Sequence, residues 1–506
     1  MLKALCYVLL VTVPAVLLWI LNRRRQHSLF RKHGIPGPEP ELIWGNFKQL
    51  KKNRLQVLDE WIKQYGKVFG FYMAEKPYMV VTDLDLIRQS FVKESRTFQD
   101  RPRYFVELEP FVSTLLFLKG KWLRNIRIRS YGSKGAKLSR SSCSSRSSRS
   151  CARKSFVLLQ NCCATTNIFV LYRATQIVCM LALVASASLA REVNCQQDSD
   201  DPLLKAARAL ILDADTNLVE TAIAMPGMRT LLGLFYPFTS YCRMLGRLLE
   251  NINDTVRLRR KEGGTQHKDM LQMMLDAQAG KEDAAHDVRK KGPLIEDRHV
   301  IANSLLLLMA GYETTGAALA FTLYLLAVHP EEQEKVHSEL AEQLEQNSEL
   351  AFDDVHRLKR LDLVIREAVR LYPSVPILVA RTCLPDTTVN GQFIPAGTTL
   401  LAPAWSIHRN PEYWPEPTKF IPDRFAEDHP ERHPMAYFPF GLGPRLCLGW
   451  RLALLEMKMA VCGILRDYKL APCKETQNPT PVGVPGMTLR PEGGIKVKLE
   501  ARSRQL

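Results

Sequence analysis

From Asp297 to His329 the chain carries one continuous apolar helical pattern, closed by Pro330. At about 1.5 Å per residue such a helix runs roughly 50 Å, enough to cross a whole domain. Pro330-Glu331-Glu332 then opens a second helix, with proline in its first turn and acids at the positive helix end. Leu361 to Leu371 reads as a further helix stopped by Pro373, and Gly449 to Leu465 as an amphipathic one. Strand-like runs are few: Val68 to Thr82, and Thr387 to Leu401 around the turns Asn390-Gly391 and Pro395-Ala396-Gly397. Between Pro403 and Pro444 nine prolines mark a loop-rich stretch. The expected class is mainly α with a small β subdomain. With 506 residues, 46% of them hydrophobic and 24% charged, the chain can bury a large core and is not disordered. Length alone suggests about three domains, yet one large helical enzyme domain fits as well.

Ahead of this body, Ala4 to Leu21 is an uncharged run rich in Leu and Val, followed by Asn22-Arg23-Arg24-Arg25 and Arg31-Lys32. Its eighteen residues span about 27 Å as a helix, close to the hydrocarbon thickness of a bilayer. The basic cluster outweighs Lys3 on the other side, so the positive-inside rule puts the long carboxyl-terminal part in the cytosol. A cleaved signal peptide is the competing reading, but the run is long and lacks an A-x-A ending. Residues 1–21 are therefore read as an N-terminal transmembrane anchor, 22–40 as a basic, Pro-rich stiff hinge, and 41–500 as the catalytic body.

The net charge of +17 is concentrated in one place. Phe111 to Ala190 holds thirteen Lys or Arg and no Asp or Glu, where the chain's average would place about eight acids. The high overall charge therefore says little about partners. The twelve cysteines contain no CxxC pair, which argues against a zinc ribbon or a thioredoxin motif. In a cytosolic body most of them should be free thiols.

Three constellations carry chemistry. In Phe440-Gly441-Leu442-Gly443-Pro444-Arg445-Leu446-Cys447-Leu448-Gly449 a cysteine follows a glycine-rich loop and precedes a helix. Glycines and proline let the backbone fold tightly around the sulfur, and amide N–H groups with the helix end would favour a thiolate. Arg445 is placed to meet an anion on the same ligand. A lone cysteine is usually a buried structural residue, but this ten-residue frame reverses that reading. In the middle of the long helix, Ala310-Gly311-Tyr312-Glu313-Thr314-Thr315 places Gly311 where a flat cofactor or diatomic ligand needs room. Thr314 can back-bond to the Ala310 carbonyl and open the helix locally, with Glu313 as an acid beside it. By itself this is as well explained by an apolar helix that happens to carry two threonines. Glu367 and Arg370 share a helix face and can pair, which alone would describe any solvated surface.

The cysteine segment resembles the haem-binding loop of the cytochrome P-450 enzymes, the haem-thiolate monooxygenases, at every fixed position of Phe-x-x-Gly-x-Arg-x-Cys-x-Gly. The resemblance covers roughly residues 30–122 and 193–500, and His408-Arg409-Asn410-Pro411 and Tyr413-Trp414 also follow the microsomal drug-metabolising clan. It implies the cytochrome P-450 fold, haem b as cofactor, and Cys447 as proximal iron ligand within a loop framed by Phe440, Gly441 and Arg445. It assigns Thr314 to proton delivery with Glu313 beside it, and Arg381 and Trp122 to the haem propionates. It makes Glu367, Arg370 and Arg424 (in Pro422-Asp423-Arg424-Phe425) a buried structural triad.

The implied reaction inserts one oxygen atom of O2 into a lipophilic substrate. No Gly-x-Gly-x-x-Gly fingerprint or flavin domain is present, so NADPH would act only through a separate NADPH–haemoprotein reductase, with cytochrome b5 as a further donor. Arg445, Arg451 and Lys458 are candidate docking residues for the reductase. The apolar stretch Leu232 to Tyr241 is expected to dip into the bilayer. The implied location is the endoplasmic reticulum membrane, with no nucleic-acid partner. Haem-thiolate isomerases or dehydratases of the same fold, and a decayed non-catalytic relative, are the alternatives.

The stretch 123–192 departs from the family pattern. Arginine comes one residue late after Trp122, in Trp122-Leu123-Arg124-Asn125-Ile126-Arg127, and RSSCSSRSSRSCARKS from Arg140 has no apolar periodicity. A Ser/Arg insertion binding phosphates or RNA and a second span over Ile177 to Ala190 are two explanations, although fourteen residues are few for a span. An out-of-frame or mis-spliced stretch is preferred, because the family pattern stops near Arg127 and returns near Val193 while the total length stays ordinary.

Overall fold

The computed structural model describes residues 2–102, 109–117, 168–170, 234–263, 269–278, 295–346, 352–427, 432–484 and 486–502. Trp122 and the 123–192 stretch other than 168–170 lie outside the described residues.

Helix α1 spans Leu2–His27, with exposed Leu10, Val13, Val16, Leu17, Leu18 and Leu21 along it. Its carboxyl-terminal end is seated on the hairpin of β1 (Val68–Met73) and β2 (Lys76–Val81). Arg23 is buried there near Glu75, His27 Nε2 lies 2.8 Å from the Ala74 carbonyl, and the Phe30 amide donates to the Tyr72 hydroxyl. The Pro-rich segment expected as a hinge packs against β1. The Gly70 amide donates to the Pro36 carbonyl at 2.8 Å, and a Cβ on Gly70 would stand 2.3 Å from the Phe30 ring. Glycine is what lets the chain approach this closely.

Helix α2 (Arg54–Tyr65) covers this hairpin, using Leu55, Leu58 and Trp61, and is capped by the Asn53 side chain on the Gln56 amide. Ser240–Lys261 forms α3. Helix α4 (Asp297–Val328) is the axis of the body. A reciprocal cap between Glu296 and His299 starts it, and α5 (Pro330–Gln346) follows with proline at its first position. Among the described residues α4 alone is long and apolar enough to cross a membrane, but two-thirds of its most apolar stretch is buried inside the body, as in a core helix. It packs against α3, α6 (Lys359–Leu371) and α7 (Trp450–Asp467). The main hydrophobic core includes Leu305, Leu308, Phe321 and Leu326 from α4, Leu361 and Ile365 from α6, and Val461 and Leu465 from α7.

Strands β1 and β2 pair antiparallel; β2 then pairs parallel with β7 (Thr399–Ala402), and β7 antiparallel with β4 (Val379–Thr382). The turn at Asn390-Gly391 joins β5 (Thr387–Val389) to β6 (Gln392–Ile394) as expected, with positive φ at both residues. β8 (Tyr468–Pro472) and β11 (Lys496–Ala501) form a second sheet with β3 (Ile168–Val170) on its edge. β3 lies within the stretch that reads as out of frame, and its Val170, Phe169 and Ile168 pair in register with Lys496, Val497 and Lys498. A two-residue pairing of β9 (Val482–Gly483) with β10 (Arg490–Pro491) completes the carboxyl-terminal hairpin. The fold is mainly helical with small sheets, as the sequence pattern implies.

Candidate functional site

The Cys447 loop is shaped by backbone geometry that only glycine adopts cheaply. Gly441 and Gly443 have φ of +81° and +60°, and a Cβ on Gly443 would lie 2.2 Å from the Phe91 carbonyl oxygen. The Cys447 amide donates to the Phe440 carbonyl at 2.9 Å, closing the loop just before Gly449 starts α7. A Gly443→Ala variant is expected to lose about 1–3 kcal/mol from backbone conformation alone, more with the clash, and to melt lower. Gly449→Ala, where the added methyl meets open space, should melt near the parent. Equal melting temperatures for the two variants would refute this account.

Cys447 and its neighbours Leu446 and Leu448 are accessible, yet enough protein encloses the sulfur that burial pushes its thiol upward. Both statements hold for a residue on the wall of a recess. The Gly449 amide and the charge of Arg101 pull the other way and favour the thiolate. By contrast, Cys462 within α7 is sealed in the core, and its thiol is pushed up to about 12 by burial. It is the inert kind of cysteine.

Three guanidinium groups bond to the backbone around this loop. Arg445 is buried and donates to the Gln99 carbonyl at 3.2 Å and the Leu115 carbonyl at 3.0 Å. Arg381, also buried, donates to the Leu442 carbonyl at 3.1 Å. Arg101 donates to the Arg445 carbonyl at 3.0 Å. Sequence reasoning missed Arg101, since nothing in Arg101-Pro102-Arg103 distinguishes it from surface charge. Two expected reductase-docking residues do not fit that role. Arg445 points into the body, and Lys458 is buried on α7 with its Nζ 2.9 Å from Asp362. Only Arg451 of the three is exposed, lying over the Trp450 ring.

Helix α4, buried over most of its length, has an accessible window at Ala310, with Gly311 and Thr314 partly accessible beside it. The Thr314 hydroxyl donates to the Ala310 carbonyl at 2.6 Å, the back-bond anticipated from the sequence. The Thr314 carbonyl in turn accepts from the Ser374 hydroxyl at 2.8 Å. Glu313 is turned elsewhere and accepts from the Thr488 hydroxyl at 2.5 Å and from Arg490 Nε at 2.7 Å.

Glu367, Arg370 and Arg424 come together. Arg370 grips the Glu367 carboxylate with Nε at 2.7 Å and Nη2 at 2.8 Å, and Arg424 Nε reaches Glu367 Oε1 at 3.2 Å. Glu367 and Arg370 are fully buried. The Ile421 amide donates to the same oxygen, and Arg370 also donates to the carbonyls of His408, Pro417 and Lys419.

A flat, anionic, metal-bearing cofactor such as haem needs a soft donor, apolar contact and cations at its edge. The accessible sulfur of Cys447 between two exposed leucines, the Ala310–Gly311 window, and Arg101, Arg381 and Arg445 supply these, so the residues present fit such a group. Among the described residues no cluster of three or more His, Cys, Asp or Glu could hold a bare metal ion.

A family model described as Cytochrome P450 matches residues 35–499. Cytochrome P450 3A5 of Homo sapiens is 30% identical over 515 residues, covering 98% of this chain and 97% of that protein. Cytochrome P450 3A6 of Oryctolagus cuniculus is 32% identical over 518 residues, covering 97% and 96%. Cytochrome P450 3A9 of Rattus norvegicus is 30% identical over 509 residues, covering 98% and 96%.

Proposed function

This chain belongs to the cytochrome P450 family of haem monooxygenases, and from that premise we propose that it is a membrane-anchored, NADPH-dependent monooxygenase supplied with electrons by a separate reductase. The overall reaction would be RH + O2 + 2 electrons + 2 protons giving ROH + H2O, with RH a lipophilic molecule. The observation that carries the reading is the positive-φ glycine loop presenting an accessible Cys447 sulfur.

When bound, the haem supplies the oxygen chemistry; the remaining work falls to the chain. Cys447 would hold the iron as a thiolate, a charge that the Gly449 amide and Arg101 favour against the opposing effect of burial. Arg381 and Arg445 hold the propionate edge, and Phe440 and Gly441 shape the loop. Trp122, outside the described residues, is assigned to a propionate on the family resemblance alone. Gly311 would leave room beside α4, and the Thr314 hydroxyl, bonded to the Ala310 carbonyl, would relay protons into that space. Anchoring through α1, with the body in the cytosol at the endoplasmic reticulum, is supported by exposed Leu10, Val13, Val16, Leu17, Leu18 and Leu21 and by Arg24 and Arg25 at its end. Exposed Leu234, Phe235 and Phe238, the last 80% accessible, form the second membrane contact. Reductase, or cytochrome b5, would approach on the side where Arg451 is exposed.

A carbon monoxide difference spectrum of the reduced protein tests assembly: a band typical of thiolate-ligated haem supports the reading, and its absence favours a decayed relative. Addition of reductase and NADPH then separates an oxygenase, which consumes both NADPH and O2, from an isomerase or dehydratase, which needs neither. A Thr314→Ala variant should keep the spectrum, since only a local back-bond is lost. Product formation should fall by about tenfold or more, with hydrogen peroxide taking up the NADPH consumed. Unchanged product per NADPH would remove Thr314 from the relay.

A further inference from the structure

Glu313 and Thr314 are adjacent in sequence, but one residue turns an α-helix by about 100°, so their side chains leave α4 in different directions. The structure gives each its own tether to the carboxyl-terminal hairpin. Thr488 Oγ1, Arg490 Nε and Arg490 Nη2 all converge on Glu313 Oε1, at 2.5, 2.7 and 2.5 Å. Between them, the Leu489 amide donates to the Ser374 carbonyl at 2.9 Å, and the Ser374 hydroxyl donates to the Thr314 carbonyl. The side chains of residues 488 and 490 meet the acid, while the backbone of 489 makes the bond to Ser374. One three-residue segment thus holds the acid side chain and the helix backbone of the relay at once. The Glu313–Arg490 pair is largely buried, with both side chains 15% exposed or less.

We propose that Arg490, assisted by Thr488, is a positioning residue for proton delivery. It fixes the Glu313 carboxylate on the hairpin side of α4, and so sets how reducing equivalents divide between product and hydrogen peroxide. Productive turnover gives ROH and water as written above. Uncoupled turnover is O2 + 2 electrons + 2 protons giving H2O2, with the electrons again drawn from NADPH through the reductase. The inference rests on the monooxygenase reading for its consequence, but the clamp itself does not need that reading.

Two measurements test it. Labelling of the Glu313 carboxyl by a water-soluble carbodiimide and an amine, read by mass spectrometry of the tryptic peptide, should rise several-fold in Arg490→Gln. It should rise less in Arg490→Lys and in Thr488→Val, which serve if Arg490→Gln folds poorly. Hydrogen peroxide formed per NADPH should rise about threefold or more in Arg490→Gln, with no further rise when that change is added to Glu313→Gln. A merely structural arginine would raise peroxide equally in both backgrounds, and that result overturns the proposal, as does unchanged labelling. If the parent shows no NADPH-dependent oxygen consumption, the functional reading fails on its own, and labelling still decides the clamp.

Discussion

A Cys447→Ala variant should purify without bound haem, show no carbon monoxide band and give no turnover above background. The expectation follows from what surrounds the sulfur. The loop from Phe440 to Gly449 contains two glycines in left-handed backbone and the Cys447 amide bonded back to Phe440. Its geometry presents the Cys447 sulfur accessibly between Leu446 and Leu448. Alanine leaves that backbone intact, so the fold should survive while the single soft donor disappears. Arg101 and the Gly449 amide, which favour a charge on the sulfur, would have nothing to stabilise. In the proposed site Arg381 and Arg445 would meet only the cofactor's edge, and edge contacts alone would not replace an iron–sulfur coordination bond. Cys242→Ala, at a half-buried position on α3, is the matched control and should retain the full spectrum. A Cys447→Ala protein that kept its red colour and turnover would remove the central residue of the proposed site.

What could be read from the sequence was set by how locally each feature is encoded. The core helix was legible because its apolar pattern and Pro330 lie in one uninterrupted stretch, and the Cys447 loop because its strain requires glycine at fixed spacing. The Thr314–Ala310 bond is a four-residue event and was equally readable. Features joining distant segments were not. Glu313 reads as an acid beside the relay, but its partner Arg490 is 177 positions away, and Arg101 meets Arg445 across 344. Lys458 reads as a docking cation because charge defaults to the surface, yet it lies on the inward side of α7 against Asp362. The contact of the Pro-rich segment with β1 was hidden for a related reason: proline and glycine signal a turn locally, and the packing of Phe30 on Gly70 is a long-range event. The pairing of residues 168–170 with β11 likewise depends on a register that no local pattern announces.

Removing the carboxylate of Glu367 should have the largest effect on folding. Two arginines, Arg370 fully buried and Arg424 nearly so, share that one acid, with the Arg432 side chain lying over the Trp414 ring as Arg370 does. Replacing a buried hydrophobic isostere for the whole group would be tolerable, but deleting only the acid leaves unpaired positive charge in the interior. Such a deletion typically costs about 3–5 kcal/mol, a large part of the 5–15 kcal/mol by which proteins are stable. The damage would spread along a defined route. Arg370, no longer held by two bonds to Glu367, would be less able to fix the His408, Pro417 and Lys419 carbonyls. His408 Nε2 accepts the Phe438 amide at 3.0 Å, and Phe438 accepts the Gly441 amide at the start of the cysteine loop. Burial and the neighbouring Arg370 push His408 down to about 3, so it is a neutral acceptor there. Glu367→Ala should therefore yield little folded protein and no haem spectrum. Glu367→Gln, which retains an acceptor for the Ile421 amide but not the charge, should fold partly and melt well below the parent. Arg424→Ala, losing one bond to Glu367 and one to the Glu416 carbonyl, should be milder than either. Thermal unfolding followed alongside the carbon monoxide spectrum ranks the three variants, and a Glu367→Ala protein that melts with the parent would show that the triad does not hold this region together.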